Sequence, residues 1–389
     1  MTPLDAVLSP DGWPYASSQP IDRDDPGRFH ALFGRDSLIT SLQVLPERPD
    51  VARATLRALA ALQGTAEDPD TDEEPGKIVH EYRPQAEKRF EDMGWPVRNG
   101  ELRYYGSADA TSWFLVVLDA LGDDALTEEL SGAWRAAAQW LERALEHGRG
   151  LVRHGPRRAP GGLVQQGWRD TTDPLAAYGG GILDVEGTMP EPPLADADTQ
   201  AAAVTALRAT ARLSGDSRWH ALADRTVELV GRAFTPDTMA ISDGDRRVQG
   251  AGSQLGWLLW ADALPDSHRG AYAERLCGSD VLTEFGLRTL SCDHPQFAPE
   301  AYHRGAAWPF DSWLGWGGLR ACGRQTEAER VREGVLDAIQ SLGDAPELYA
   351  VTDHGPRRIP IANRVQAWTI GAQVALQRSW DGRPVAATS

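Results

Sequence analysis

Helical periodicity dominates the pattern of hydrophobic and polar positions along the chain, and the alternation typical of strands is scarce. Six apolar, weakly charged helical stretches rich in Gly and Ala start near Ser37, Ala108, Ala197, Gly252, Trp308 and Val365. Between them lie helices with an apolar stripe and a charged face, such as residues 128–145. If residues 4–8 count as the first, the alternation gives six outer and six inner helices. This pattern predicts a closed ring of helix pairs in a single domain, residues 1–389.

The connections between these helices are unequal in length. Connections from an inner to an outer helix are mostly short, whereas those from an outer to an inner helix are long and rich in Gly, Pro, Trp and charge. Five of the long ones span residues 64–107, 149–196, 235–251, 281–307 and 343–364. They would all emerge at the amino-terminal end of the inner helices, and long loops usually carry function. We therefore expect the active site at that end.

Composition narrows the class of ligand. The chain contains 14 Trp, more than a core of this size requires, which favours a ligand with flat apolar faces. A formal net charge of -17 would repel phosphate backbones and anionic lipid, so we expect no nucleic-acid partner and no membrane partner. A neutral small molecule fits best, and the sequence sets no oligomeric state.

Motif searches exclude several chemistries and give no sign of a cofactor. There is no GxSxG elbow, Walker A motif, Rossmann glycine pattern or HExxH motif. The three cysteines, Cys277, Cys292 and Cys322, lack zinc-site spacing, so we expect no metal and interpret them as reduced. No export signal or membrane-spanning segment is evident, which predicts a cytoplasmic protein.

Six motifs in the long loops combine carboxylates with Arg, Trp and Tyr. A sugar site requires this combination, because hydroxyl groups take bidentate polar partners and pyranose rings stack on aromatic side chains. The candidate binding residues are Phe33, Arg35, Asp36, Glu81, Arg83, Tyr105, Asp109, Trp168, Arg169, Tyr302, His303 and Trp308.

Two further carboxyls are the candidate catalytic pair. Hydrolysis of a glycosidic bond needs one carboxylic acid to protonate the leaving oxygen and one carboxylate to activate water or attack the sugar. Asp170 follows Trp168 by two residues, and the apolar ring could keep the acid protonated. Glu347 lies in a loop after an outer helix, where Pro346 can stiffen the chain. We therefore predict Asp170 and Glu347 as the pair.

Each carboxylate also has a purely structural interpretation. Asp170 fits a turn, and the neighbouring Asp173 is a rival acid. Asp36 and Asp109 fit helix N-caps, and Glu347 fits a solvated loop.

The aromatic residues and histidines divide in the same way. Trp313 and Trp316 lie on a predicted helix, which favours a role in core packing. Trp168 and Trp308 lie in loops, which favours contact with the ligand. Three histidines lack metal-ligand spacing and fit structural hydrogen bonds: His80, His294 and His303.

At these motifs the sequence resembles the amylo-α-1,6-glucosidase, or glycogen-debranching, family of six-hairpin glycosidases, and more distantly the glucoamylases. The resemblance spans nearly the whole chain. Its markers read FGRDSLIT, HEYRP, YYGSADAT, QGWRD, GLRTLS, YHRGAAWPFD, PEL and QAW. It implies an all-α (α/α)6 barrel and an inverting mechanism, with Asp170 as general acid and Glu347 as general base. It also implies that Arg35 and Asp36 hold the far hydroxyls of the terminal glucose.

The sequence departs from that family mainly where substrate is bound. We expect neither an amino-terminal β-rich domain nor a transferase half, and Ser253-Gln254 replaces the usual Ser-Asn. We therefore expect exo-acting hydrolysis of a short α-linked gluco-oligosaccharide, α-1,6 or related, rather than of glycogen. The alternatives are a sugar epimerase or lyase on the same barrel, and a non-catalytic carbohydrate-binding protein.

Overall fold

The structure, a computed structural model, describes residues 3–22, 25, 28–176 and 178–383. It is mostly helical, as the hydrophobic pattern predicts. In these residues a 3-10 helix at Pro3–Val7 precedes thirteen α-helices: α1 Gly34–Val44, α2 Pro49–Ala61, α3 Lys88–Asp92, α4 Ala110–Leu121, α5 Asp124–Glu129, α6 Ser131–His147, α7 Ala197–Ser214, α8 Arg218–Ala233, α9 Gln254–Trp260, α10 Asp266–Leu276, α11 Pro309–Ala321, α12 Gln325–Leu342 and α13 Ala367–Gln377.

All six predicted inner helices are present and form a closed ring. Helices α1, α4, α7, α9, α11 and α13 each pack against the next, and α13 returns to α1. The 3-10 helix and α2, α6, α8, α10 and α12 pack on the outside of this ring. The predicted (α/α)6 barrel is therefore confirmed, and the short helices α3 and α5 are additions that the periodicity does not predict.

The burial of each ring follows from its sequence. Every residue of α1 and of α9 is buried, as expected for helices that are surrounded on all sides. Helix α6 instead buries one stripe that includes Trp134, Trp140 and Leu141, and exposes its charged face. Glycines allow the inner helices to approach closely: a Cβ atom on Gly256 of α9 would lie 2.4 Å from the Cα atom of Gly315 of α11.

Short antiparallel strands occupy the connections that lead from an outer to an inner helix. They form four small sheets with the orders β1-β2-β4-β3, β5-β6-β7, β8-β9 and β10-β11. The strands are β1 Leu32–Phe33, β2 Glu81–Arg83, β3 Val97–Arg98, β4 Glu101–Tyr104, β5 Ala195–Asp196, β6 Thr238–Ser242, β7 Arg246–Gln249, β8 Leu282–Thr283, β9 Gly286–Leu287, β10 Tyr349–Thr352 and β11 Gly355–Arg358. These sheets brace the long loops at the amino-terminal end of the inner helices.

The residues that follow α13 close the opposite end of the barrel. The indole nitrogen of Trp380 donates to the carbonyl oxygen of Leu42 at 2.7 Å. Trp313 donates to the carbonyl oxygen of Trp380, and Trp260 donates to that of Asp381. We call residues 379–383 the C-terminal plug, because three indole hydrogen bonds fix it to α1, α9 and α11.

In the described part of the chain, no helix is both long and apolar enough to cross a membrane. All three cysteines are free thiols.

Candidate active site

A cavity of about 460 Å³ opens at the amino-terminal ends of the inner helices. Eleven of the fourteen predicted site residues line it: Phe33, Arg35, Asp36, Glu81, Arg83, Trp168, Asp170, Tyr302, His303, Trp308 and Glu347. They come from the starts of α1 and α11, from β1 and β2, and from three long loops. The ring therefore brings together motifs that lie more than 300 positions apart in the sequence, from Phe33 to Glu347.

Asp170 faces the cavity from the loop that precedes α7. Its side chain keeps 27% of its exposure, and its Oδ2 accepts a hydrogen bond from Arg35 Nη1 at 2.8 Å. Burial raises the pKa of Asp170, while the charge and hydrogen bond of Arg35 oppose that rise. The carboxyl is thus held by an ion pair and still reaches the ligand space.

Asp109 lies behind Arg35 rather than in the cavity. It stands at the N-cap position of α4 but forms no side-chain capping bond. Its carboxylate accepts instead from Arg35 Nε at 2.9 Å and from Ser107 Oγ at 2.9 Å. The prediction that Asp109 contacts the ligand is therefore replaced by a role as buried counter-charge to Arg35.

All three nitrogen atoms of the Arg35 guanidinium donate hydrogen bonds within the protein. Besides Asp109 and Asp170, it donates through Nη2 to the carbonyl oxygen of Gly167 at 2.8 Å. Arg35 thus links the first turn of α1 to the loop that carries Asp170, which fixes where the acid stands.

Glu347 lies on the same cavity, only 2% exposed, so its interpretation as a solvated loop residue is wrong. Its Oε1 accepts from the hydroxyl group of Tyr302. Its Oε2 accepts from the backbone and side-chain amides of Asn363, at 3.1 and 3.2 Å. Burial raises the pKa of Glu347 to about 7, and these donors oppose the rise. Since all three donors favour the ionised form, the site suits a carboxylate that accepts a proton.

Asp36 is a further carboxyl group on the cavity. It lies inside the first turn of α1, and Phe33 occupies the N-cap position, so the capping interpretation of Asp36 is wrong. Burial raises the pKa of Asp36 well above its ordinary value, and Arg35 opposes the rise. The negative charges of Asp170 and Glu347 raise it further, so three carboxyls share one electrostatic environment.

Stacked aromatic rings form the floor of the cavity. Trp168 lies parallel to Trp257 with ring centroids 5.8 Å apart, and Trp308 meets Trp168 edge to face at 5.5 Å. Trp368 stacks on Phe310 at 3.9 Å. Trp168, Trp308 and Trp368 line the cavity, whereas Trp257 and Phe310 lie beneath it. The floor is closed and apolar, which suits the face of a pyranose ring.

His303 is held in one tautomer. Burial lowers its pKa well below the ordinary value, so the ring is neutral. Its Nδ1 accepts the N–H of Gly181 at 2.9 Å, which leaves the proton on Nε2. The ring also stacks on Trp308 at 5.5 Å. His303 therefore lines the cavity as a neutral ring with one N–H donor.

Two more predicted binding residues lie outside the cavity, where their polar groups form hydrogen bonds within the protein. Arg169 is buried beneath the floor, where it donates to Asp198, Ser253 Oγ and the carbonyl oxygen of Thr289. Tyr105 is buried, and its hydroxyl group donates to the carbonyl oxygen of Leu62 at 2.8 Å. Neither has a polar group left for a ligand.

The rival acid Asp173 lines the cavity but serves a turn, because its carboxylate accepts the N–H of Leu175 at 2.9 Å.

Several residues that line the cavity were not predicted as site residues from the sequence. They are Arg28, Phe29, His80, Arg89, Phe90, Met93, Trp95, Tyr178, Ile361 and Trp368. His80 and Trp368 lie in quoted motifs, HEYRP and QAW, whereas the others belong to stretches with no distinctive spacing. Only the fold brings those stretches to the cavity.

No group of three or more His, Cys, Asp or Glu side chains with metal-binding geometry occurs among the residues described.

A model of the mannosylglycerate hydrolase MGH1-like glycoside hydrolase domain matches residues 110–350, more than half of the chain. No curated protein sequence matches significantly.

Solved structures share the whole fold at low sequence identity. A GH63 mannosylglycerate hydrolase from Thermus thermophilus, in complex with Tris, is 16% identical with a TM-score of 0.69, covering 97% of this chain and 99% of its own. The same enzyme in complex with glucose gives 16% identity and a TM-score of 0.66, covering 97% and 100%. A wild-type glycosidase gives 13% identity and a TM-score of 0.60, covering 98% and 95%.

These matches fit the predicted six-hairpin glycosidase but do not single out the amylo-α-1,6-glucosidases among them. The chain therefore belongs to the mannosylglycerate hydrolase MGH1-like glycoside hydrolase domain family.

Proposed function

We propose that the protein hydrolyses a short α-linked hexoside with inversion, Asp170 acting as general acid and Glu347 as general base. The observation that carries this proposal is the pair of carboxyls on one cavity in unlike surroundings. Asp170 is partly exposed beside Arg35, whereas Glu347 is buried among three donors. Asp170 would protonate the glycosidic oxygen while Glu347 takes a proton from a water molecule that attacks the anomeric carbon from the opposite face.

The closed floor supports an exo-acting enzyme. A terminal sugar would lie on Trp168 and Trp308, with the neutral His303 donating from Nε2 to one of its hydroxyl groups. The leaving group would then point to the opening. A cavity of about 460 Å³ suits a ligand of disaccharide size better than a branched polymer.

Glucose is the first candidate for the sugar, as the sequence predicts, and an α-1,6 or related linkage belongs to the same proposal. The mannosylglycerate hydrolase that shares this fold has been solved with glucose, and also with Tris and D-glycerate. The family model carries the name of mannosylglycerate hydrolase, so a mannoside of glycerate is the second candidate.

The test is a panel of α-glucosides and α-mannosides, including glycerate glycosides and disaccharides, followed by NMR of the sugar anomer that forms first. We expect the β-anomer to appear first from an α-glycoside. If the α-anomer appears first, inversion is contradicted. If glycosides bind tightly but none is hydrolysed, the non-catalytic alternative is favoured.

Two variants then assign the roles. Asp170→Asn and Glu347→Gln should each lower kcat by about a hundredfold to ten-thousandfold, the usual contribution of a positioned acid or base. Asp173→Asn, on the same loop as Asp170, is the matched control and should keep most of the activity. Full activity in Glu347→Gln would favour an epimerase or lyase.

A further inference from the structure

The cavity has a buried floor and an exposed mouth. Among the residues that line its buried part, Arg35 and Trp168 are each 2% exposed, and Asp36 is 6% exposed. At the mouth, Met93 is 63% exposed and Tyr178 is 51% exposed, although both line the same cavity. In an exo-acting enzyme with a closed floor, the sugar takes the buried end. The leaving group therefore contacts the mouth.

One wall of the mouth is apolar. Phe90 in the middle of α3, Met93 just after α3, and Trp95 line the cavity on this side. Phe90 meets Trp95 edge to face with centroids 6.4 Å apart. Tyr178 contributes a further exposed ring from the loop before α7. Exposed apolar side chains gathered at one opening indicate a surface that a ligand covers.

The mouth also carries positive charge. Arg83 and Arg89 lie over the ring of Phe90, at 4.6 and 5.2 Å, and their charges are matched by Glu81 and Glu87.

Arg28 differs from these two arginines. Its guanidinium lies over the ring of Tyr178 at 5.7 Å, and among the residues described it forms no ion pair. The nearby carboxylate of Asp173 is engaged by the N–H of Leu175. Arg28 is thus a cation beside an exposed ring, ready to meet an anion.

We propose that the mouth binds a leaving group with a flat apolar ring and a carboxylate, that is, an aromatic acid linked through an alcohol. The ring covers Phe90, Met93 and Tyr178, and the carboxylate pairs with Arg28. The carboxylate of glycerate would pair with Arg28, but glycerate has no ring to cover the apolar wall. This inference rests on the proposed exo-acting hydrolysis, since that reaction is what directs the leaving group to the mouth.

The test compares four α-glycosides of one sugar whose leaving groups are all alkyl alcohols: glycerol, glycerate, benzyl alcohol and 4-(hydroxymethyl)benzoate. We expect kcat/KM to rise about tenfold from glycerol to benzyl alcohol, and about tenfold again for the aromatic acid. The inference is overturned if the glycerate glycoside equals or exceeds the 4-(hydroxymethyl)benzoate glycoside.

Binding separates this inference from the proposed reaction. The same four glycosides are titrated calorimetrically into the Asp170→Asn variant, in which hydrolysis is suppressed. If the glycoside of the aromatic acid binds more tightly but the wild-type protein does not turn it over, the proposed hydrolysis is refuted and the proposed preference of the mouth is supported. If all four glycosides are hydrolysed equally, the proposed hydrolysis is supported and the proposed preference of the mouth is refuted. If none of them binds or is hydrolysed, both proposals are refuted.

Two variants at the mouth should lose different preferences. Phe90→Leu keeps apolar volume without the ring and should remove most of the benzyl-over-glycerol preference. Arg28→Gln should remove the preference for the carboxylate and leave the preference for the ring. Because Arg28 also acts on the charge of Glu347, ratios between glycosides at one pH are compared rather than rates. Arg225→Gln, on the exposed face of α8, is the control and should change neither ratio.

Discussion

Asp170 and Glu347 show how two carboxyls on one cavity acquire different properties. Burial raises the pKa of both, but Arg35 pairs with Asp170 through a full positive charge, whereas Glu347 receives hydrogen bonds from neutral groups. Under the proposed mechanism, the active form carries one proton between them, on Asp170. Which carboxyl loses its proton last therefore decides the pH range in which the protein works.

We expect kcat/KM to fall as the pH rises above about 7. Burial raises the pKa of Glu347 to about 7, while Arg35 opposes the rise at Asp170, so Glu347 should be the last to ionise. Above the pKa of Glu347 both carboxyls are ionised, and the form with one proton disappears. The measurement is kcat/KM across the neutral range. A rate that increases through pH 7 would instead place the pKa of Asp170 above that of Glu347.

Asp109 should matter for stability and for the pH profile, although it lies outside the cavity. Asp109→Asn leaves Arg35 with less compensation for its buried charge, which should cost about 3 to 5 kcal/mol of unfolding free energy. The negative charge of Asp109 raises the pKa of Asp170, so its loss should move the Asp170 limb of the pH profile to lower pH.

Urea unfolding and the pH profile together check the effect of Asp109→Asn. Glu129→Gln breaks the exposed pair with Arg57 and serves as the control, with an expected loss of stability much smaller than that of Asp109→Asn. An equal loss of stability in both variants would contradict the buried counter-charge.

The sequence could predict residue types at the site better than their roles. Eleven predicted residues line the cavity because their motifs combine carboxylate, guanidinium and aromatic groups. Asp109 and Arg169 belong to the same motifs, yet both are buried behind the cavity wall. Which side of a loop faces the ligand depends on contacts such as Arg35 to Gly167, which no local pattern records. The assignment of acid and base stays a prediction until it is tested.

At the scale of elements, the inner helices depend on glycine where they touch. Gly256 of α9 faces Gly315 of α11, and Gly318 faces the carbonyl oxygen of Gly256. These contacts leave no room for a Cβ atom, so the small residues in the apolar stretches determine how tightly the ring closes.

Gly256→Ala should destabilise the barrel, because the new methyl group would lie 2.4 Å from Gly315. We expect a loss of about 1 to 3 kcal/mol, typical of overpacking. Gly270→Ala in α10 is the matched control, since nothing lies within 4 Å of its added Cβ atom, and it should gain about 0.5 to 1 kcal/mol. Thermal unfolding of both variants checks this pair, and a stable Gly256→Ala variant would show that α9 and α11 can move apart.

The helices were predictable because their apolar period extends over several turns, whereas the strands were not. Most strands have two to four residues, too few for an alternating pattern to stand out. Helix α3 is equally short, and it carries Phe90 to the mouth of the cavity. The elements that shape the mouth are therefore the ones with the weakest local signal.

At the scale of the whole molecule, the cavity opens at the amino-terminal ends of the inner helices. The C-terminal plug lies across the opposite end, where Trp380 bonds to Leu42. If substrate enters and both products leave through this opening, the proposed exo-acting hydrolysis removes one terminal sugar per encounter.

Removal of the C-terminal plug should lower stability without changing the cavity. A chain that ends after residue 378 loses the indole hydrogen bonds at Leu42, Trp313 and Trp260, each worth about 0.5 to 1.5 kcal/mol, and the packing of Trp380. We expect a lower Tm and an unchanged KM for a short substrate at a temperature where both chains are folded. A chain that ends after residue 383 keeps the plug and is the control. A large rise in KM for the shorter chain would contradict the separation of the two ends.

The plug also bears on how the molecule is made. The hydrogen bond between Trp380 and Leu42 joins positions 338 residues apart, and α13 must complete a ring that α1 begins. During synthesis, α1 leaves the ribosome long before α13 exists, so the part of its buried surface that packs against α13 has no permanent cover until then. Contacts so distant in sequence slow folding. The nascent chain should therefore need shelter from aggregation until its last helix arrives.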